Sequence, residues 1–551
     1  MRLDSGCFAF VPLGGVGEIG ANFYLYHFDG RWLAVDCGLT FGDTSTPEFE
    51  ILVPDPGFIA ERRKQLVGLV ITHAHEDHLG AVAWLWPQLE CPVHATPFAA
   101  AILRRKLGER GLAGRAPLVV YEPGGRLELP PFSLRFIRMA HSTPEAQAVA
   151  IRVPGRTVLH TGDWKLDPSP LVGPPTDEAA LAALGQEGVD VLVCDSTNAL
   201  VEGHSGSEAE VRRNLIALVR SLEGRVAITC FATNVARIES IARAAAASGR
   251  TLAVVGRAFR NVIAAAREVG YLSDLPELVD EEDAGSLPDD AVLFLVAGSQ
   301  GEPRSALSRI AADTHPHVAL GEGDTVIYSS RMIPGNERAI HRVQEALARR
   351  GVRVMTERDH MVHVSGHPAR DELRRLYALV RPRHVVPMHG EWLHMTEHAE
   401  LARSLGAVPH AIDNGDVLRL SPEPVEVIDH VAHGKLAVDG ERLVPSSSEV
   451  FDARRRMLDS GLVVASLVAD SAGRFLGRPV VSAPGVFDVT MNGAAASLAD
   501  ELAAAVASLP LAVRRDDDAL REAARGALRS LLRRLVGPKR PAVEVHVLRV
   551  A

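Results

Sequence analysis

Long apolar runs, paired cysteines and an excess of positive charge are all missing from this chain of 551 residues. No stretch approaches the roughly 18 consecutive apolar residues of a membrane span. The amino terminus (MRLDSGCFAFVPLGG) lacks the basic start and apolar core of a signal peptide. A cytoplasmic protein without a membrane partner is expected. The five cysteines (Cys7, Cys37, Cys91, Cys194 and Cys230) are scattered, odd in number and form no CxxC pair. That pattern excludes a disulfide framework and a cysteine-rich zinc ribbon, and leaves buried thiols. The formal net charge of -10 excludes a uniformly basic surface. Proteins that bind phosphate chains are often basic, but a single groove can be positive on an acidic protein.

What is present is ordinary globular material, 47% hydrophobic and 23% charged. At roughly 150 residues per domain, three or four domains are expected. Short apolar runs that end in polar or glycine-rich turns (RWLAVDCG, QLVGLVITHAHEDH, RTVLHTGD, VDVLVCDST) read as buried strands, with helical patterns such as LGAVAWLWPQL between them. Alternation of this kind predicts an α/β layered fold over 1–205. From 206 to 360 helices and strands alternate regularly (SEAEVRRNLIALVRSL, RVAITCFATN, VARIESIARAAAASG, TLAVVGR, AVLFLVAGSQGEP, DTVIYSS), which predicts a doubly wound second domain. The first pattern returns over 361–445, at RHVVPMHGE. Residues 446–460 read as a linker. A small α+β domain is expected over 461–551: a hairpin from LVVASLVAD and RPVVSAPGVF, helices near 494–508 and 517–536, and a closing strand AVEVHVLRV.

THAHEDHLG is the most informative segment. A buried strand leads into it and a helix leaves it, so His73, His75, Asp77 and His78 share one tight turn at a strand's C-terminal end. Four ligand-type side chains in six residues can hold two ions, and imidazole with carboxylate suits Zn²⁺ and tolerates Mn²⁺. His141, Asp163 and His389 follow other apolar runs in equivalent places. A single histidine in a turn is more often structural, but together these complete a set. His73, His75 and His141 would hold one ion, and Asp77, His78 and His389 the other, with Asp163 bridging. Such a pair activates water and clamps attacking and leaving oxygens. His160 and Glu76 read as non-ligands.

Asp36 in AVDCG, the HAHEDH turn, His141, Asp163 in TGDWK and His389 resemble the five ordered motifs of the metallo-β-lactamase superfamily. That resemblance makes Asp36 a residue that orients a ligand histidine. The long insertion after Asp163 is similar to the β-CASP nuclease branch, with Asp195 in CDSTN, His367 in HVSGHP and His389 in MHGE. GGVGEIGAN, GSQGEPRSALSRIA, IPGNE and the trailing domain are similar to the bacterial ribonuclease J family. The resemblance implies an αββα sandwich with an inserted β-CASP domain and a small α+β C-terminal domain. It implies a 5′-to-3′ exoribonuclease that prefers 5′-monophosphate RNA, also cuts internally, and serves messenger turnover and ribosomal RNA maturation. It further implies two divalent ions, single-stranded RNA as substrate, a homodimer or tetramer through the C-terminal domain, and other RNA-decay proteins as partners. The chain departs from the family at TPEFE, where Glu48 and Glu50 stand for an accessory calcium site, and at Arg331 and Met332 in SSRMIPGNE.

Given that resemblance, HVSGHPARDEL reads as a strand running into a helix, with Pro368 at the first helical position. The backbone of His363, Val364, Ser365, Gly366 and His367 would then face an RNA phosphate. His367 would give a proton to the departing 3′ oxygen, oriented by Asp195, with Asp77 also in the catalytic group. CFATNVARIES reads as a second such junction: Thr233 and Asn234 cap a helix, Arg237 meets a phosphate, and Phe231 stacks on a base. The bland reading there is an ordinary capped helix. ARRRM and LLRRLVGPKR read as solvated faces. Three alternatives share parts of the pattern: a thioester hydrolase with the same HxHxDH turn but no HVSGH insertion, a β-CASP DNA nuclease, and a scaffold that has lost its ligands.

Overall fold

Alternation along the first strands decides the architecture. In Phe8–Gly14, Phe8 and Phe10 face one side and Ala9 and Val11 the other, because successive strand side chains point to opposite faces. Phe8 and Phe10 join Tyr24, Tyr26, Phe132, Phe136, Val193 and Val386 in a core between two sheets. Ala9 and Val11 join a core against the outer helices. The computed structural model describes residues 4, 6–42, 49–333, 335–487 and 493–550.

The first sheet has eight strands, in the order Glu426–His430, Asp416–Ser421, Phe8–Gly14, Phe23–Phe28, Arg31–Val35, Leu66–Val70, Val93–Ala95 and Leu118–Val120. The second has seven, in the order Val408–Pro409, His384–Met388, Val191–Asp195, Arg156–His160, Gln147–Val153, Phe132–Arg138 and Arg126–Leu129. Helices Glu178–Glu187, Arg370–Val380 and Trp392–Ser404 lie along the outer face of this second sheet, over a core of Leu159, Leu192, Leu373, Leu376 and Leu401. The result is the αββα sandwich expected from the sequence. Between the two parts of the sandwich the chain builds a six-stranded, wholly parallel sheet, ordered Leu278–Asp280, Thr251–Val255, Val292–Val296, Val226–Thr229, Thr325–Tyr328 and Arg353–Met355. Cores on both of its faces make it doubly wound.

By internal contacts the chain divides into Met1–Leu443 and Val444–Ala551. In the second unit, Leu462–Asp470 pairs antiparallel with Val480–Ser482 and parallel with Ala542–Val550. Helices Ala494–Ala507 and Asp517–Val536 pack on that sheet through Leu498, Leu502, Leu520, Leu528 and Val463. The expected linker over 446–460 is corrected: Glu449–Ser460 is an α-helix. Ser448 caps it by accepting from Val450 N, Glu449 and Asp452 stand in its first turn, and Phe451 is buried, so its polar composition reflects an exposed helix and not a loop. All five cysteines are free and buried. Among the described residues no helix is long and apolar enough to cross a membrane.

Candidate metal centre

The candidate ligands all sit at or just past the C-terminal ends of strands. His73 and His75 follow Leu66–Val70, and Asp77 and His78 lie in the short helix Glu76–Leu79. His141 follows Phe132–Arg138, Asp163 follows Arg156–His160, Asp195 ends Val191–Asp195, and His389 follows His384–Met388. His389 and Asp36 have φ of 51° and 61°, a left-handed backbone that non-glycine residues adopt at a cost, commonly at functional sites.

These ends converge. His75 Nδ1 lies 3.2 Å from His73 Nε2 and 3.0 Å from His141 Nε2. His78 Nε2 is 3.1 Å from Asp163 Oδ2 and 3.6 Å from Asp77 Oδ2. His389 Nε2 is 3.4 Å from Asp163 Oδ2 and 3.6 Å from Asp77 Oδ2. Asp163 Oδ2 is also 3.7 Å from His73 Nε2 and 3.9 Å from His141 Nε2. One carboxylate oxygen thus borders two groups of ligand atoms, His73, His75 and His141 on one side and Asp77, His78 and His389 on the other, each group spanning no more than 4.8 Å.

The residues around the cluster prepare it for cations. His141 Nδ1 donates to Gly366 O at 2.6 Å, His78 Nδ1 to Asp36 Oδ2 at 2.7 Å, and His389 Nδ1 to Asn22 Oδ1 at 2.9 Å. Fixing the outer ring nitrogen leaves the lone pair of the inner one free for a ligand bond. Asp36 also accepts from Thr72 N at 2.8 Å and from the Thr72 hydroxyl, which in turn touches His73 Nδ1 at 3.0 Å. Burial, with the neighbouring histidines, holds His73 and His75 well below the usual imidazole range and brings His141 to about 3. Burial opposes ionisation of Asp163, but His389, His78 and His367 outweigh it and hold its carboxyl well below the usual range. Asp163 Oδ1 and His389 Nε2 are buried without a hydrogen-bond partner among the described residues. Orphaned acceptors of this kind are costly unless something positive sits among them. His73, His75 and His141, held neutral beside an ionised Asp163, are donors for a divalent cation. Burial opposes protonation of His78, but Asp163, Asp77 and Asp36 outweigh it and raise its pKa well above the usual imidazole range, so a cation there would displace that proton. His160 instead meets Tyr26 OH at 3.0 Å, and Glu76 pairs with Lys106 at 2.7 Å.

Beside the cluster, His367 Nδ1 donates to Asp195 Oδ2 at 2.8 Å and stands 3.8 Å from Asp163 Oδ2. Burial opposes protonation of His367, but Asp195 and Asp163 raise its pKa to about 9. Gly366 is required by proximity: a Cβ there would lie 2.7 Å from His141 Cε1. Ser365 Oγ accepts from Asn198 Nδ2 at 2.7 Å, and Val364 is buried against Gly206.

Two readings of this region are corrected. HVSGHP is not a strand, and the helix begins at Arg370 with Ala369 as its cap, so Pro368 precedes it. Its first amides are already taken, Ala369 N by Glu372 Oε2 at 2.9 Å, Arg370 N by Val201 O and Asp371 N by Gly203 O, and this helix end therefore offers no anion site. Arg237 does not face a phosphate. It is wholly buried, clamped by Glu208 at 2.9 Å, and donates to Ser329 O at 2.6 Å and Val362 O at 3.0 Å, with His363 Nδ1 at 3.3 Å. Asn234 is an N-cap, accepting from Arg237 N at 2.9 Å, while Thr233 and Phe231 are half-buried at the end of the parallel sheet. Glu48 lies outside the described residues. Glu50 is exposed, with Arg304 3.9 Å away.

Sequence reasoning missed Asn22, whose Nδ2 donates to Asp77 O at 2.9 Å while Oδ1 serves His389. A polar residue between the glycine-rich turn GGVGEIGA and an apolar strand was its signal. It also missed Glu372, which gathers Leu166 N, Ser205 N and Ala369 N at 2.8–2.9 Å.

Comparison with known proteins agrees with this geometry. The description "Metallo-beta-lactamase superfamily" matches residues 16–227, "Ribonuclease J, beta-CASP domain" matches 223–347, and "Zn-dependent metallo-hydrolase RNA specificity domain" matches 351–412. Ribonuclease J of Sinorhizobium meliloti is 44% identical over 98% of this chain and 97% of its own. Ribonuclease J of Mycolicibacterium smegmatis is 40% identical over 87% and 85%, and that of Thermus thermophilus 38% over 83% and 82%. A solved structure of a protein of unknown function from Enterococcus faecalis V583 shares the fold at 15% identity, with a TM-score of 0.52, covering 75% of this chain and 100% of that one. The chain belongs to the ribonuclease J family, and it is a metal-dependent hydrolase that acts on RNA.

Proposed function

We propose that this enzyme is a cytoplasmic 5′-to-3′ exoribonuclease on single-stranded RNA bearing a 5′ monophosphate, with some internal cleavage, acting in messenger decay and ribosomal RNA maturation. The observation that carries the chemistry is the meeting of two ligand groups on Asp163 Oδ2, with the His367–Asp195 pair beside it. His73, His75 and His141 would hold one divalent ion, and Asp77, His78 and His389 the other, with Asp163 beside both groups; Zn²⁺, Mn²⁺ or both fit these donors. The ions, when bound, supply charge neutralisation at the phosphate and a nucleophilic water at neutral pH. His367, kept protonated by Asp195, donates to the departing 3′ oxygen. The loop from His363 to His367 holds the terminal phosphate, and the half-exposed Phe231 stacks on a base. A centre built between two domains admits one strand more readily than a duplex.

The C-terminal unit is proposed to join two copies of the chain. Leu458 and Val480 are 71% exposed there and Leu476 50%, apolar side chains that a second copy could cover. Other RNA-decay proteins are candidate partners.

The test is an assay of end-labelled 5′-monophosphate RNA beside 5′-triphosphate RNA, matched DNA and a thioester, with Mn²⁺ or Mg²⁺ and with chelator. Progressive release of 5′ mononucleotides from the monophosphate RNA, abolished by chelator, is expected. Equal cleavage of DNA, or activity indifferent to chelator, would overturn the reading.

A further inference from the structure

Arg331 follows the strand Thr325–Tyr328, and its backbone is braced. Its carbonyl accepts from Gln300 Nε2 at 3.0 Å, and Gln300 Oε1 accepts from Ile333 N at 3.0 Å. The side chain is exposed, yet one corner is tied to the centre. Nη1 donates to Asn198 Oδ1 at 3.0 Å, while Asn198 Nδ2 donates to Ser365 Oγ at 2.7 Å and to His367 O at 3.0 Å. The guanidinium therefore stands two hydrogen bonds from His367.

A guanidinium carries five N–H donors in a rigid fork. Among the described residues only one donor of Arg331 is used, and no carboxylate lies within 4.0 Å of it. The contrast is Arg237, whose fork is filled by Glu208, Ser329 and Val362. In a chain of net charge -10, this arginine beside a nuclease centre has no acidic partner among the described residues. Its neighbours are short of partners too: Ser330 Oγ and His394 Nδ1 are buried with none among the described residues. Burial holds His394 below the usual imidazole range and the charge of Arg331 pushes the same way, which places the two in one electrostatic neighbourhood. A fixed, half-used fork is suited to the two free oxygens of a phosphodiester.

We propose that Arg331 is a specificity-determining residue that grips one backbone phosphate of the RNA, other than the phosphate being cut, with one edge of its fork on Asn198. The inference rests on the reading that the His363–His367 loop and the metal centre hold RNA.

The full-length enzyme is assayed on 5′-monophosphate RNA oligonucleotides, each with a single neutral methylphosphonate at a successive position. Arg331→Gln is expected to raise KM roughly tenfold on unmodified RNA with kcat changed less than about twofold, and to lower the salt slope by about 1. It should also erase the penalty that the wild-type enzyme pays at one methylphosphonate position. Arg331→Lys should keep the charge and part of that penalty, and thermal unfolding reports that both variants are folded. An unchanged KM, or the wild-type pattern of penalties at every position, overturns the inference. A loss in kcat without any position-specific change also overturns it, because it assigns Arg331 to holding Asn198 alone. If the wild-type enzyme releases no mononucleotides from RNA, the proposed function itself falls, and this inference with it.

Discussion

Asp36 touches no candidate ion, yet both ligand groups depend on it. It holds His78 directly at 2.7 Å and His73 through Thr72, and its left-handed backbone is part of that arrangement. Asp36→Asn keeps the shape but turns one acceptor into a donor facing the His78 ring. Metal affinity is expected to fall roughly 10- to 100-fold, the usual effect of losing a partner of this type. Metal titration followed by elemental analysis measures it; unchanged affinity would remove Asp36 from the mechanism. His398 shows a different kind of residue, buried for structure. It bridges Ser196 Oγ and Tyr377 OH, each at 2.9 Å, and burial brings its pKa from 6.5 to about 4. Between pH 6.5 and 4 the unfolded chain takes up a proton that the folded one refuses, so stability falls as pH drops through that window and is unaffected above it. The full effect is about 3 kcal/mol. Urea unfolding of His398→Gln should show a shallower loss over the same range, and an identical slope would acquit His398.

Strands were legible in the sequence because their residues are apolar runs with abrupt polar ends, and those ends carry the candidate ligands. His73, His75, Asp77, His78, His141, Asp163 and His389 could be named as candidates because ligand-type side chains recur together at those ends. What could not be read was which polar groups are turned inward. The helix Val235–Ala247 buries Ile238, Ile241 and Ala245, and Arg237 falls on that same stripe. Its partners Glu208 and Ser329 are 29 and 92 residues away, so nothing local announces that the charge is satisfied. The start of the helix Arg370–Val380 departs from the local pattern for a similar reason: Glu372 is shared with Leu166 and Ser205, and distant amides settle where the first turn sits. Arg237→Met tests the structural assignment. Leaving Glu208 buried and unpaired is expected to cost roughly 3–5 kcal/mol. Calorimetry should show a large fall in Tm, while KM for RNA, measured well below that temperature, stays near the wild-type value. A raised KM without loss of stability would restore Arg237 to the RNA path.

At the scale of the whole chain, sequence order and spatial order part company. Phe8–Gly14 pairs with Asp416–Ser421, and His384–Met388 lies between Val191–Asp195 and Val408–Pro409. No local pattern reveals pairings over such separations, and the resemblance to a family supplied what periodicity could not. A chain ending at Leu443 keeps every proposed ligand and is expected to unfold cooperatively and bind two divalent ions per molecule. One ending at Val380 lacks the strands His384–Met388, Val408–Pro409, Asp416–Ser421 and Glu426–His430 and should do neither; thermal unfolding with elemental analysis distinguishes them, and two tightly bound ions in the shorter chain would refute the assignment of His389. The late position of His384–Met388 also bears on synthesis. A ribosome making this protein holds a growing destroyer of RNA beside its own messenger. The growing chain presents an open row of backbone groups along Val191–Asp195 until residues near 389 have left the exit tunnel. On the proposed assignment of His389, the danger is deferred by topology: the enzyme would arm itself only when translation of its own message is well past the midpoint.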